Sequence, residues 1–230
     1  MAQTAQARAP RQNNIISIPD GYTYRTIDVG EIRADAPSNA PEGSLGERLT
    51  GYAAKFNTRS ELIYGQFYEE IAPGAFKDSL QDGADVRFTL NHDKNFVLGR
   101  NKSGTLDLRE DNTGLKFEVW PPESQWARDL LTSVKRGDIN QCSFLFRTIE
   151  DDWREDTKSG LLVRTLVKVA LRDVSLVTYP AYEDTLAEVR SEYESALERF
   201  KAERIQPSEA RARELDLLEA EISLDEPMGE

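Results

Sequence analysis

Between about residues 49 and 182, apolar residues mostly recur at every second position, which is the spacing expected of β-strands. The run VRFTLNHD places Val86, Phe88 and Leu90 on one face and polar residues between them. Four other runs show the same alternation: LTGYAAKF, TLDLREDNTGLKFEVW, CSFLFRTI and LLVRTLVKVALRDVSLVTY. The second of these has turn residues around Asp111–Gly114 and is typical of a β-hairpin. The pattern predicts a strand-rich domain, with a charged loop, EDDWREDTKSG, between the last two runs.

One segment in this region has helical spacing instead. In ESQWARDLLTSVKRG, which follows a Pro-Pro pair, Trp126, Leu130 and Val134 recur every four residues. Basic residues occupy the last turn, and Gly137 comes directly after them. The apolar spacing and the end signals therefore predict the same amphipathic helix.

The two ends of the chain have different compositions. Residues 1–20 are rich in Ala, Gln, Arg, Asn and Pro and are predicted to form a flexible arm. We predict one domain over residues 21–182. Residues 183–230 form an acidic tail of 15 Asp and Glu against 6 Lys and Arg, with apolar residues at helical spacing. This predicted helical tail is open to two interpretations: it packs on its own domain, or it binds a partner, for example as a coiled coil.

Charge and composition exclude several classes of protein. The formal net charge is −12 and no basic patch stands out, which argues against nucleic acid as the main ligand. No apolar run approaches the ~20 residues that span a bilayer, and the first residues lack the apolar segment of a secretory signal. The single cysteine, Cys142, excludes an internal disulfide and favours a reducing compartment. We therefore expect a cytoplasmic protein that does not bind membranes.

His92 is the only histidine in the chain. It has the same parity as Val86, Phe88 and Leu90, so it is predicted to extend the inward row of that strand. The simplest interpretation is a histidine at the edge of the core, bound to a backbone carbonyl. With one His, one Cys and no HxxE, HExxH or CxxC motif, we expect no metal site and no cofactor.

Ser143 and Cys142 are adjacent but are predicted to lie on opposite faces of one strand. Cys142 has the parity of Phe144 and Phe146, which is typical of a buried small apolar residue. A Cys142 nucleophile is nevertheless conceivable. Ser143 points the other way and is either a hydrogen-bonded structural serine or a nucleophile.

Asp173 is the third candidate. It shares the parity of Leu171 and Ser175 in an apolar row, where a carboxylate is costly unless a cation or hydrogen-bond donors meet it. If this row faces His92, the carboxylate would fix the imidazole tautomer and leave the other nitrogen free to act on a hydroxyl. Spacing alone does not establish that the three residues meet.

Six fragments in order, GYAAKFN, EEIAPGAF, LNHD…LGR, DNTGLKFEVW, KRGDINQCSFLF and LRDVSLVTYPAY, resemble the prohead (capsid maturation) proteases of tailed bacteriophages. They extend from about Gly51 to Tyr182. The resemblance implies an α+β fold, a β-barrel flanked by helices, similar to the herpesvirus assembly proteases.

The resemblance also implies roles for the three candidates. His92 matches the family's histidine in an N-H-D motif, Ser143 its nucleophile, and Asp173 the acid that precedes V-S-L-V. Cys142 replaces the usual methionine, and Leu145 stands where a glycine is customary. The donors to the oxyanion are not identified by sequence, and Arg100 and Arg172 are the candidates.

By this resemblance the protein is a serine endopeptidase that cleaves the major capsid protein or scaffold protein, and itself, inside the procapsid in the host cytoplasm. The herpesvirus proteases also suggest a homodimer. Two alternatives remain open at this point: a non-catalytic capsid assembly or scaffolding protein on a decayed protease domain, and a cysteine protease that uses Cys142.

Overall fold

The computed structural model describes residues 19, 21–28, 32–63, 65–179 and 193–202. The expected N-terminal arm, apart from Pro19, and most of the expected tail lie outside these residues. The strands are β1 Thr23–Asp28, β2 Arg33–Asp35, β3 Arg48–Lys55, β4 Phe67–Ile71, β5 Arg87–Leu90, β6 Asp93–Arg100, β7 Leu106–Glu110, β8 Gly114–Val119, β9 Gln141–Glu155 and β10 Leu162–Val177. The helices are α1 Lys77–Gln81 and α2 Gln125–Arg136, and residues 193–202 are also helical.

The strands form two sheets that pack on each other. One sheet has the order β1-β9-β10-β5-β6, with β4 also pairing with β10, and the other has the order β2-β3-β8-β7. Phe88 of the first sheet and Phe117 of the second meet with ring centroids 4.7 Å apart in the shared core. This confirms a mixed α+β fold that consists mostly of strands.

The expected closed barrel is wrong for the described residues. The first half of β10 pairs with β4 and its second half with β5, so the sheet branches along its longest strand. Within the described pairings β1 and β6 lie at the two ends of the first sheet, and β2 and β7 at the ends of the second. Neither sheet returns to its first strand, and the core is enclosed by two packed open sheets.

The local sequence signals correspond closely to the observed elements. Helix α2 ends at Gly137, whose φ of 83° is left-handed and suits glycine. The β7–β8 hairpin turns at Asp111, whose carboxylate accepts the backbone N–H groups of Thr113 and Gly114. Both predictions are confirmed.

The charged loop expected between β9 and β10 is shorter than predicted. Strand β9 continues through the first half of this segment to Glu155, which is opposite Leu162 on β10, and residues 156–161 connect the two strands. Trp153 provides an apolar contact that the many charged residues around it did not suggest, since its ring packs on Phe67 with centroids 5.1 Å apart. The polar side chains between these contacts mostly face outward, which is why the segment had the composition of a loop.

The helical segment at 193–202 packs on this ribbon. Ala196 is fully buried, and the ring of Tyr193 stacks on Phe67 with centroids 5.4 Å apart. This part of the expected tail therefore lies against the chain's own domain. No helix among the described residues is long and apolar enough to cross a bilayer.

An extra residue in β10 reverses the faces of the strand. Leu171 is opposite Phe146 and Asp173 is opposite Leu145, so Arg172 between them has no partner on β9. Before this bulge Leu171 belongs to the core, and after it Val174 does. The predicted row that put Leu171, Asp173 and Ser175 on one face is therefore wrong, because Asp173 lies on the face opposite Leu171.

A buried ion-pair network ties β1 to the body of the domain. Arg25 binds both carboxylate oxygens of Glu69, at 2.6 and 3.0 Å, and Arg164 also lies 3.4 Å from Glu69 and 2.7 Å from Asp151. Arg164 and Glu69 are almost completely buried. Removing one charge from such a network leaves an uncompensated charge inside the protein.

We therefore expect Glu69→Gln to lower the free energy of unfolding by about 3–5 kcal/mol, because two arginines lose their shared carboxylate. The neighbouring Glu70→Gln is the matched control, since Glu70 pairs with the partly exposed Arg154, and should cost about 1 kcal/mol or less. Urea unfolding of the two variants measures both values. Equal losses would show that burial of the Glu69 network does not control its energy.

Candidate active site

His92 lies in a tight turn and not in a strand. Strand β5 ends at Leu90 and β6 begins at Asp93, so Asn91 and His92 form a two-residue hairpin loop. Their φ angles are 52° and 56°, the doubly positive geometry of a type I′ turn. The expectation that His92 continues the inward row of its strand is therefore wrong, because the turn redirects its side chain.

The turn is anchored to the end of β10. The backbone N–H of Asn91 donates to the carbonyl of Leu176 at 2.8 Å. The side-chain oxygen of Asn91 accepts the N–H of Thr178 at 2.9 Å. These two contacts hold an otherwise unfavourable left-handed backbone in place beside β10.

The turn brings His92 to Asp173. The ring is buried, and its Nδ1 lies 2.5 Å from Oδ1 of the carboxylate. Because the carboxylate is the acceptor in this contact, we assign the proton of the neutral ring to Nδ1, which leaves Nε2 with a free lone pair. The sequence predicted that the carboxylate of Asp173 needs a cation or a hydrogen-bond donor, and the imidazole of His92 is that donor.

Ser143 lies on the same face of the sheet as Asp173 and Ser175. In the register of β9 and β10 it is directly opposite Ser175, and directly opposed residues project to one face. The Oγ of Ser175 in turn accepts the backbone N–H of His92 at 2.9 Å. The hydroxyl of Ser143 is therefore one strand away from a residue that binds the histidine directly.

Two polar atoms at this site have no hydrogen-bond partner among the described residues. They are Nε2 of His92 and Oγ of Ser143, and both are buried. The Ser–His hydrogen bond is not formed in this structure, and such bonds are often long in enzymes without substrate. Ser175 differs, because its Oγ accepts from the His92 N–H and contacts the Leu176 carbonyl at 3.0 Å. Of the two serines, only Ser143 retains a hydroxyl without a hydrogen-bond partner.

Tyr24 and Thr89 also belong to the site and were not identified from the sequence. The ring of Tyr24, on β1, packs on the imidazole with centroids 4.2 Å apart. Burial, together with the negative charge of Asp173, raises the pKa of the Tyr24 phenol to about 12. Thr89 lies 3.1 Å from the second oxygen of Asp173. In the sequence, Thr89 is recognisable only as one of the polar positions in the alternating run VRFTLNHD. No sequence signal indicated Tyr24.

The two arginines considered as oxyanion donors have other contacts. Arg100 binds both carboxylate oxygens of Asp85, each at 2.7 Å. Arg172 lies over the ring of Tyr22 at 5.4 Å. The structure gives neither guanidinium a hydrogen bond to Ser143.

Cys142 and Leu145 occupy the positions where this chain departs from the resembled motif. Cys142 is fully buried in the core with Phe144 and Phe146, as its parity predicted. Burial raises the pKa of the Cys142 thiol well above its usual range, so the reactive thiolate is strongly disfavoured. Leu145 is buried on the other face of β9, opposite Asp173 in the strand register.

A buried imidazole held by a carboxylate lies one strand away from a serine hydroxyl without a partner, and these are the three groups that a serine hydrolase uses. Residues 34–199 match the family model of the caudovirus prohead serine proteases, and the chain belongs to that family. It is therefore a serine protease with a role in capsid maturation.

Among solved structures, the bacteriophage T4 capsid assembly protease, gp21, aligns with a TM-score of 0.45 and 12% identity. The alignment covers 68% of this chain and 96% of that one. At this level of similarity it says nothing about individual residues. No curated protein matches the sequence.

The burial of Cys142 gives a direct test of the cysteine-protease alternative. We expect iodoacetamide at neutral pH to leave Cys142 of the folded protein unmodified, because the thiol is inaccessible and its pKa is raised. In urea the same thiol should be alkylated completely, which serves as the control. Intact mass spectrometry counts the adducts, and rapid native labelling accompanied by loss of proteolysis would support the cysteine alternative.

Proposed function

We propose that Ser143 is the nucleophile, His92 the general base and Asp173 the residue that orients the imidazole. The observation that carries this assignment is the Nδ1–Asp173 contact at 2.5 Å, with Nε2 and the Ser143 hydroxyl both buried and without partners. Buried polar atoms without partners are costly, and each needs an explanation, of which a catalytic role is one.

The proposed reaction is acyl transfer to Ser143. Rotation of the serine side chain brings Oγ to Nε2, which takes the hydroxyl proton as Oγ attacks the peptide carbonyl. The carboxylate of Asp173 stabilises the imidazolium that forms. The imidazolium then gives its proton to the leaving amine, and water hydrolyses the acyl-enzyme by the same steps in reverse order.

The substrates that we propose are the major capsid protein or scaffold protein, and the protease itself. Membership of the prohead serine protease family supports this choice. The same reasoning places the protein inside the procapsid within the host cell. A homodimer and a herpesvirus-like arrangement remain parts of the proposal that rest on the family resemblance alone.

The acidic tail is proposed to carry the enzyme into the procapsid by binding scaffold or shell. Residues 203–230 contain 9 acidic and 3 basic residues, and they follow the helical segment that packs on the domain. Because Tyr193 and Ala196 hold that segment in place, the residues beyond it start from a defined point on the domain surface. A charge excess of this size favours a basic partner surface.

The nucleophile is tested by mass spectrometry of the expressed chain. We expect the wild type to cleave itself and to be labelled by a fluorophosphonate, and Ser143→Ala to do neither, because a serine nucleophile typically supplies about 10⁶-fold in rate. The rate of self-cleavage should fall by about the same factor in His92→Ala and by about 10⁴-fold in Asp173→Asn.

Ser124→Ala is the matched control, since Ser124 is another serine whose buried hydroxyl has no partner among the described residues. It precedes helix α2 and should leave self-cleavage unchanged. Cleavage at the same bonds in Ser143→Ala would refute the assignment. A wild type that neither cleaves itself nor reacts with the phosphonate would favour the decayed, non-catalytic alternative.

Deletion of residues 203–230 tests the proposed role of the tail. We expect the truncated enzyme to keep its self-cleavage or phosphonate labelling, because the deletion leaves the described helix on the domain, but to be absent from purified procapsids. The control is a chain of full length in which the nine acidic residues of this segment become Gln or Asn. Western blots of procapsids measure incorporation, and normal incorporation of the truncated chain would contradict the proposal.

A further inference from the structure

We propose that Thr89 and Ser175 are positioning residues that hold Asp173 and His92 in their reactive arrangement. This inference rests on the proposed function of Ser143, His92 and Asp173. It adds two hydroxyl groups that do not touch the reacting atoms and act through the residues that do.

Ser175 holds the backbone of His92. Its Oγ accepts the His92 N–H at 2.9 Å, and it lies 3.0 Å from the Leu176 carbonyl, to which its hydroxyl donates. His92 has a φ of 56°, a left-handed conformation that is unfavourable for a residue other than glycine unless neighbouring contacts support it. The side chain of Ser175 supplies such a contact at the residue that carries the imidazole.

Thr89 holds the carboxylate of Asp173. Its Oγ1 is buried and lies 3.1 Å from Oδ2 of Asp173, while Oδ1 of the same carboxylate faces Nδ1 of His92. Each oxygen therefore has its own partner, which fixes the plane of the carboxylate as well as its position. Without the hydroxyl, Oδ2 would have no hydrogen bond among the described contacts of this carboxylate, and only the His92 contact at Oδ1 would hold the group.

The two hydroxyls also lie next to each other. Oγ1 of Thr89 lies 3.1 Å from Oγ of Ser175, and the two residues are direct partners in the β5–β10 register. Ser175 is in turn the direct partner of Ser143 on β9. One row across three strands thus links the nucleophile strand, the histidine turn and the acid. The separation between the imidazole and Ser143 depends on this row.

Thr89→Val tests the proposal, because valine keeps the shape of threonine and removes the hydroxyl. The matched control is Thr165→Val, also on a strand of this sheet, whose hydroxyl lies 3.1 Å from a carboxylate oxygen of Glu70. Both variants lose one hydroxyl–carboxylate bond of equal length, but only one loses it at the site. Thr89→Ser keeps the hydroxyl and serves as the rescue variant.

Two measurements report on the site. The first is the rate of fluorophosphonate labelling at Ser143, located by peptide mass spectrometry. The second is the NMR spectrum of the imidazole in ¹⁵N-labelled protein, which is unambiguous because His92 is the only histidine. We expect Thr89→Val to slow labelling about 10- to 100-fold, the cost of a misplaced catalytic group, and to change the Nδ1–H resonance. Thr165→Val should change neither, and Thr89→Ser should restore both.

Each result separates this proposal from the proposed function. Labelling of Thr89→Val at the wild-type rate with an unchanged imidazole spectrum would overturn the positioning role, even if Ser143→Ala is inert. Slow labelling that Thr89→Ser does not restore, or that Thr165→Val shares, would show a merely structural effect and would also overturn it. Labelling that persists in Ser143→Ala at another residue would instead refute the nucleophile.

Ser175→Ala provides a second, independent variant. Loss of the Ser175 hydroxyl removes the hydrogen bond to the His92 backbone N–H but leaves the Thr89–Asp173 contact in place. We expect labelling to slow and the Nδ1–H resonance of His92 to change, which Thr165→Val should not show. A normal labelling rate in Ser175→Ala would remove Ser175 from the proposal.

Discussion

The candidate site depends on one extra residue in a long strand. A one-residue shift in a β-strand sends every later side chain to the opposite face. At Arg172 this shift moves Asp173 and Ser175 out of the core row that contains Leu171, and Val174 takes over the contact with the core. A carboxylate in the core would have to be neutralised at a large cost. The bulge therefore places the acid where the imidazole and Thr89 can meet it, without a gap in the apolar interior.

Polar groups are buried in two different ways in this protein. Glu69 has two arginine partners, and the carboxylate of Asp173 has a partner at each oxygen, so both are satisfied. Nε2 of His92 and the hydroxyl of Ser143 are buried without partners among the described residues. An unsatisfied buried group costs about 1–3 kcal/mol. Two such atoms on one face of a sheet, next to a fully paired acid, are the basis on which we propose a reactive site there.

The site combines residues inside and outside the family match. His92, Ser143 and Asp173 lie within residues 34–199, whereas Tyr24, which packs on the imidazole, precedes them. The ion pair between Arg25 and Glu69 fastens Tyr24's strand to the domain. One wall of the imidazole pocket is therefore built by a strand that the family model does not cover.

Local signals in the sequence determined the features that depend on residues close together in the chain. The four-residue spacing and Gly137 specify helix α2, turn residues specify the β7–β8 hairpin, and parity separates Cys142 from Ser143. These features arise from neighbours along the chain, which is what periodicity records. The family resemblance named His92, Ser143 and Asp173, but alternation alone misplaced two of them, because a bulge and a type I′ turn each interrupt it.

Only the tertiary structure decided which faces meet. The contact between His92 and Asp173 joins residues that are 81 positions apart, and it exists because β5 pairs in parallel with β10 beyond the bulge. The pairings of β4 and β5 with β10 branch the first sheet, and the pairing of β1 with β9 brings Tyr24 to the imidazole. The sequence determined the chemical groups and their local periodicity, whereas their approach depends on strand register, which is set by contacts between distant segments.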